Sequence, residues 1–593
     1  MWVLEGGSQT WRLILDHVDD ARNALNSYCA AFEAWQIASY TLSLVFLVLY
    51  VGELSMSERP LKERVIARLY YLFRSMPHVK RRVNEDLKLA RKNMEEEVHR
   101  KDGIREFYKF IPERPITADE IVAEAGIYSS MAEPMARNIS GIEPSSREEV
   151  ADTVSKVWRM FGWSNPRQSD TFPGGRKMEA ELVRMCLSLF HGDSAATGVV
   201  VPSAAEATLV ALSAARSRAV SQGIRSPSVV LSAAAPPSTF HACRLLGLRV
   251  REVAVNRSGG MDVGALKRAV ASDTAIIIGS APNALTGTLD PIDSISKLAG
   301  RYSIPLHVDC SLGGFVLPFF ELCDFLAPSY DFRLPGVSSI AIDFSKFSQC
   351  PASVSLALFR DRSMMKKAVF TSTLSPTGIY SSISLSDSLD GSAVAAAWTT
   401  LLATGREGYV EATQRLVQGT LAVAQALETL PGIRVLGKSE TVVVAFEMNV
   451  EKGRKAHEIF HVVEQMRQMG WPLEALPSPP AARLVMSLPI SDEIVAAKFV
   501  DDLDTVLVNL ANNADRASLS SSAAFNDLVS KAADRWMVGE IVAERALAHY
   551  SLPPPLDTSR ALRTLSVEGR KMSMLASGPP DIHERSRKVS ISS

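Results

Sequence analysis

Between residues 195 and 360 the chain alternates short apolar, β-branched runs with stretches of helical period. The runs are PSVVLSA (227–233), LRVREVAV (248–255), TAIIIGSAP (274–282), IPLHVDC (304–310), SSIAID (338–343) and VSLALFR (354–360). Near-continuous apolar strands separated by helices predict a parallel or mixed sheet covered on both faces. Ligands of such α/β sheets sit beyond the carboxyl ends of the strands. Further on, AAAWTTLLATGREGYVEATQRLVQGTLAVAQALETL predicts long amphipathic helices, and VVVAFEM and ARLVMSL supply strands for a smaller α+β unit.

Upstream the pattern differs. Residues 34–52, AWQIASYTLSLVFLVLYVG, carry no charge and are just long enough for a membrane-spanning helix, with Trp35 and Tyr50 near the two headgroup depths. Basic residues from Arg59 to Arg82 follow the run, whereas Asp16, Asp19 and Asp20 precede it, which places the bulk of the chain on the cytoplasmic side. The run lies too far in, with no small-residue cleavage site, to read as a cleaved signal peptide, so an uncleaved anchor is expected. A buried core helix is the alternative, because Ser39, Thr41 and Ser43 dilute the apolar signal. LKERVIARLYYLFRSM and VNEDLKLARKNMEEEVHRK are helical with opposite charges four apart, and the Pro- and Ser-rich residues 552–593 are expected to be disordered.

Composition narrows the field of partners. A formal net charge of -1 gives no general pull toward nucleic acid. The six cysteines are scattered without a Cys-x-x-Cys pair or His at ligand spacing, so no metal site is expected and reduced thiols are.

Two residues suggest chemistry. Strand IPLHVDC delivers Asp309 to its end, ahead of Ser311 and the Gly313-Gly314 pair, and strand SSIAID ends at Asp343, three residues before Lys346. A lysine amine can bond covalently to pyridoxal 5'-phosphate while a carboxylate keeps the ring nitrogen protonated, so that the ring accepts electrons. An acid and a lysine at strand ends are more often solvated surface groups, and the pair alone does not decide.

Longer blocks do more. FGWSNPRQSDTFPGGRKMEAELVRMCLSLFHG, IPLHVDCSLGGFVLPF, GVSSIAIDFSKF and GREGYVEAT occur in order, with EAWQIA ahead of the apolar run and DRWMVGE near Asp534. Across nearly its whole length the chain resembles the sphingosine-1-phosphate lyases. The resemblance implies an α/β fold of the pyridoxal-phosphate type I class: a large mixed-sheet domain, a small α+β carboxyl-terminal domain and an amino-terminal transmembrane helix. It implies a homodimer in the endoplasmic reticulum membrane with its catalytic part cytosolic. The implied reaction is C2–C3 cleavage of a lipid-derived phosphorylated amine, a sphingoid base phosphate, to a fatty aldehyde and phosphoethanolamine. By the same resemblance Lys346 is the Schiff-base lysine, Asp309 faces the ring nitrogen, and His307, Ser203, Ala204 and Glu206 belong to the cofactor site. The expected organisation is a luminal segment (1–33), the span (34–52), a helical connecting region (53–150), the cofactor-binding domain (151–390), the small domain (391–515), a helical extension (516–551) and the tail (552–593).

Departures from that family leave alternatives open. Its Thr-Ser-Gly-Gly-Thr-Glu-Ser phosphate loop is here Val201, Pro202, Ser203, Ala204, Ala205, Glu206, Ala207, which loses a donor and adds bulk. Pro236 stands where a histidine stacks on the ring, Ser345 where a histidine precedes the lysine, and Pro144 and Gln168 where a tyrosine and a histidine stand. A Gly-Ser-Arg-Pro-Gly segment is replaced by Asp387, Ser388, Leu389, Asp390 and Gly391. An active lyase, a non-catalytic membrane-tethered relative and, more remotely, an amino-acid decarboxylase all remain.

Overall fold

The computed structural model describes residues 61–99, 110–131, 148–351, 354–374, 378–452, 454–512 and 521–551, with 108, 376 and scattered positions between 23 and 45. All six expected runs are strands: β2 (Ser228–Ser232), β3 (Arg249–Val253), β4 (Thr274–Ser280), β5 (Leu306–Asp309), β6 (Val337–Asp343) and β7 (Ser355–Phe359). A seventh that the pattern did not single out, β1 (Thr197–Val201), completes the sheet in the order β1-β7-β6-β5-β4-β2-β3. Its signal is weakened by Gly198, where a Cβ would come within 2.8 Å of Leu358 Cδ2. Only β7 runs against its neighbours, so the other six strands end at one edge of the sheet.

The helices are α1 (Leu61–Ser75), α2 (Pro77–His99), α3 (Ala118–Ser130), α4 (Glu148–Met160), α5 (Pro173–Leu189), α6 (Ala204–Ser221), α7 (Pro237–Leu245), α8 (Val263–Ala269), α9 (Ile292–Tyr302), α10 (Arg362–Lys366), α11 (Gly391–Thr429), α12 (Ile459–Gln468), α13 (Glu493–Asn512), α14 (Ser521–Lys531) and α15 (Arg535–Ala548). Alternation along the strands splits the core in two. Val200, Ile277, Val308, Ile340 and Leu358 pack against α5, α9 and α11, whereas Val199, Ile278, Ala341 and Ala357 pack against α6 and α7. Within α11, Gly405 takes the left-handed region (φ 62°) and marks the kink between two helical segments. The smaller unit is an antiparallel sheet, β10 (Ile433–Leu436), β11 (Val443–Met448), β13 (Pro480–Val485) and β12 (Glu474–Pro477), of which β11 and β13 were expected. A ribbon pairs β8 (Phe370–Ser372) with β9 (Tyr380–Ser382).

The DRWMVGE block has a structural task. Arg74 of α1 pairs with Asp534 and lies 4.1 Å over the Trp536 ring, and α15 packs along α2. The pairs Arg81–Glu85 and Arg91–Glu95 lace α2, and such exposed pairs contribute about 0.3–0.5 kcal/mol each.

Residues 1–65 and those from 66 onward are separate units. Of the expected span 34–52, residues 35–45 are helical, and the rest of it falls outside the described residues, as do Pro144 and the tail 552–593. Among the described residues no helix is long and apolar enough to cross a membrane.

Gly313 and Gly314 let the loop after β5 press against neighbouring strands. A Cβ on Gly313 would lie 2.4 Å from the Ala281 carbonyl oxygen, a backbone atom that cannot swing aside. Gly313→Ala is therefore expected to cost about 1–3 kcal/mol, read as a lower urea midpoint at unchanged slope.

Candidate active site

Strand register assembles the edge. Asp309 is paired with Ser280 on one side and Ala341 on the other, while Val201 and Asp343, the last residues of β1 and β6, both face Ser355 of β7. Asp309 and His307 share the sheet face covered by α6, because residues two apart in a strand point the same way. Helix α6 starts three residues after Val201, so its amino terminus lies at this same edge.

Asp309 is buried. Its Oδ1 accepts from the Ser311 N–H (3.1 Å) and the Ser311 hydroxyl, while no hydrogen bond reaches Oδ2 among the described residues. Burial pushes its carboxyl above the usual range and nearby Asp343 reinforces this, with the Ser311 contacts opposing. Asp343 is turned back on its own loop, accepting from the Ser345 N–H (2.9 Å) and the Ser355 hydroxyl (3.1 Å).

Lys346 follows on a tightly held loop. The Phe344 N–H donates to the Val354 carbonyl (2.8 Å), the Ser348 hydroxyl closes onto the Phe344 carbonyl, and the Tyr409 hydroxyl donates to the Ser348 carbonyl (2.8 Å). Phe347 and Gln349, flanking Ser348, both take left-handed backbone (φ 58° and 64°). Lys346 is half-buried, and its amine has no hydrogen bond or ion pair among the described residues. Tyr409 is the residue that sequence reasoning quoted, within GREGYVEAT, without assigning it a task.

The other expected residues sit at different depths. His307 is fully buried below the edge: Nδ1 meets the Ser339 hydroxyl at 2.9 Å, Nε2 has no partner, and burial pushes its imidazole down to about 3. Ser203 caps α6, its hydroxyl oxygen accepting from the Glu206 N–H (3.3 Å). Ala204 and Ala205 are the first-turn residues whose N–H groups have no intrahelical acceptor. Glu206 accepts from the Leu385 N–H (3.1 Å), and Asn165 accepts from the Leu389 N–H (3.0 Å), lacing the 384–391 loop to α6 and to the Trp-Ser-Asn-Pro turn. Arg167, also missed as a site residue, ties that turn to the end of β1 through the Val200 carbonyl (2.7 Å) and to Glu179 (3.3 Å). Pro236 is the N-cap position just before α7, and Tyr380 donates to Asp387.

This donor set fits pyridoxal phosphate. A buried acid with an unused oxygen suits the ring nitrogen, an uncommitted amine suits the aldehyde, and a helix amino terminus at the same edge suits the phosphate. The fit is better at the ring than at the phosphate, where Pro202 offers no N–H and the Glu206 N–H is already taken by Ser203.

The imidazole of His307 is neutral when folded and protonates near 6.5 when unfolded. Between pH 6.5 and about 3 the unfolded chain therefore binds the extra proton, and stability falls as pH falls. His307→Asn is expected to lose less stability than the parent between pH 7 and pH 5, by on the order of 2 kcal/mol, measured as urea midpoints.

Comparison with known proteins agrees with this geometry. Residues 173–449 match the pyridoxal-dependent decarboxylase conserved domain. Sphingosine-1-phosphate lyase 1 of Rattus norvegicus is 31% identical over 536 residues, covering 90% of this chain and 93% of the relative. The lyase of Drosophila melanogaster is 28% identical over 535 residues, 89% and 96% of the two chains. The structure of the Burkholderia pseudomallei sphingosine-1-phosphate lyase superposes with a TM-score of 0.65 at 30% identity, over 70% of this chain and 95% of that one. Lactobacillus brevis glutamate decarboxylase shares the fold, with a TM-score of 0.60 at 19% identity over 70% of this chain and 97% of that one. With that identity held along nine-tenths of its length, the chain belongs to the sphingosine-1-phosphate lyase family.

Proposed function

We propose that this chain is a pyridoxal-phosphate-dependent aldehyde-lyase that cleaves C2–C3 of a phosphorylated sphingoid base into a fatty aldehyde and phosphoethanolamine. The observation that carries the proposal is the delivery of Asp309 and Lys346 to one sheet edge, with Asp309 Oδ2 and the lysine amine both uncommitted among the described residues. Pyridoxal phosphate, when bound, supplies an electron sink for the carbon from which the aldehyde departs. Lys346 is the residue whose amine would hold the group covalently. Asp309 would face the ring nitrogen, where its carboxylate form favours a protonated ring. Ala204 and Ala205 offer backbone N–H groups to the phosphate, with Ser203 and Glu206 shaping that turn, and His307 supports the ring-facing strand from beneath.

In this reading residues 34–52 anchor the chain in the endoplasmic reticulum membrane, with residues 151–390 and 391–515 as cytosolic cofactor-binding and small domains of a homodimer. Support for the anchor is the uncharged run and the basic residues after it.

A second reading, a family member that has lost catalysis and binds a partner, is favoured by specific replacements. Pro236 cannot stack as an aromatic ring does, Pro202 removes a donor, and Asp387 and Asp390 add negative charge to the loop laced onto α6.

Absorbance separates the two. Full-length chain titrated with pyridoxal phosphate is expected to develop a visible band that Lys346→Ala lacks, and to release fatty aldehyde without carbon dioxide from a sphingoid base phosphate. Absence of any lysine-dependent band at saturating cofactor would overturn the lyase reading. Carbon dioxide release from an amino acid would point to a decarboxylase instead.

A further inference from the structure

Helix α1 has two unlike sides. Ile66, Tyr70 and Arg74, four residues apart, are half-buried, and Arg74 is fastened to Asp534 and Trp536 of the carboxyl-terminal helices. Leu69, Leu72 and Phe73, with Met76 just past the end of α1, at i, i+3, i+4 and i+7, form a separate stripe that is 61%, 53%, 53% and 52% exposed. The side chain of Arg74 therefore fixes which way the apolar stripe points. Four large apolar groups left to water on one helix face mark an interaction surface.

Charge identifies what the surface fits. Residues 61–82 hold seven Lys or Arg (Lys62, Arg64, Arg68, Arg74, Lys80, Arg81, Arg82) against one acid, Glu63, in a chain whose net charge is -1; of the seven, Arg74, Arg81 and Arg82 are paired with Asp534, Glu85 and Asp86. An apolar stripe within a strongly basic helical segment matches the boundary layer of an anionic membrane: side chains such as Leu and Phe enter the acyl margin while Lys and Arg meet lipid phosphates. A protein partner would need an acidic rim around an apolar groove, whereas a lipid surface supplies both properties without a dedicated fit.

We propose that the Leu69, Leu72, Phe73 and Met76 face of α1 docks into the headgroup layer of an anionic membrane and, through Arg74 and its α15 contacts, sets how the folded part is held at that surface. The proposal rests on the anchor reading only for bringing α1 close to lipid, and its own observation is the stripe and its charge.

The test uses full-length chain mixed with phosphatidylcholine vesicles, with vesicles containing about one-third phosphatidylserine, or with detergent alone. Amide hydrogen exchange of peptides covering 69–76 is expected to slow by about tenfold on the anionic vesicles, with the effect weakened by high salt and lost in the Leu72→Ser, Phe73→Ser double variant. Both substitutions are at exposed positions, and an unchanged lysine-dependent absorbance band shows that the variant is folded. Equal exchange in all three media would overturn the docking. Slowing in detergent that grows with protein concentration would also overturn it, since a second copy would then cover the face. Retention through an alkaline wash reports the anchor separately: a chain that washes off yet shows the anionic-vesicle slowing keeps the docking and loses the span. A retained chain without slowing does the reverse.

Discussion

The site depends on the register between β5 and β6. Asp309 faces Ala341, and the alternation that follows puts Val308, Ile340 and Ile342 on the side of α5, α9 and α11 while Asp309 and His307 share the α6 side. A one-residue slip would turn the acid and the imidazole into the apolar layer against α5, α9 and α11 and move Val308 to the α6 side in their place. Burying an uncompensated carboxylate there would cost several kcal/mol, far more than any single hydrogen bond at the edge contributes. The hydrophobic effect acting on the two layers therefore fixes where the polar chemistry stands, and the hydrogen bonds of Ser311 and Ser339 only refine it.

How much of this was legible in the chain follows from the range of each interaction. Strands β2 to β7 announce themselves because a sheet buried on both faces needs continuous apolar runs, and Asp309 and Lys346 could be placed at strand ends because those runs stop there. β10 and β12 lie at the borders of the small sheet, where fewer apolar positions are required, so their patterns carry less signal. What could not be read are contacts between distant segments. The Tyr409 hydroxyl meets the Ser348 carbonyl 61 positions away, and Arg167 meets the Val200 carbonyl 33 positions away. Neither pairing leaves a trace in local periodicity, since each exists only after α11 and the Trp-Ser-Asn-Pro turn have packed. The depth of His307 was likewise hidden, because sequence places it on the strand and only packing decides that it lies under the edge.

The two halves of the candidate cofactor site are unequal, and the inequality has a physical direction. At the proposed ring end a buried acid and an amine that is uncommitted among the described residues belong to the same sheet edge. At the phosphate end Pro202 has no N–H, the Glu206 N–H is taken by the Ser203 oxygen, and the Glu206 carboxylate anchors a loop carrying Asp387 and Asp390. A charge-assisted hydrogen bond contributes about 1.5–3 kcal/mol, so each lost donor weakens the hold on an anion by roughly a factor of ten or more. In the proposed reading, cofactor binding would then rest less on anion recognition and more on Lys346 and Asp309.

That shift bears on whether Lys346 is held for chemistry or for packing. Left-handed backbone at Phe347 and Gln349 costs on the order of 1–3 kcal/mol each, and a bulky ring in that region is unusual in any loop. The strain survives because Ser348 is secured from three directions, by Phe344, Cys350 and Tyr409. Phe347 is itself buried in the main core, so its ring holds the turn by packing while Ser348 holds it by hydrogen bonds. These contacts preserve one conformation, in which the Lys346 amine has no hydrogen bond or ion pair among the described residues. Packing therefore fixes the turn, and the turn in turn fixes where the Lys346 amine stands at the sheet edge, independently of the changes at the phosphate end.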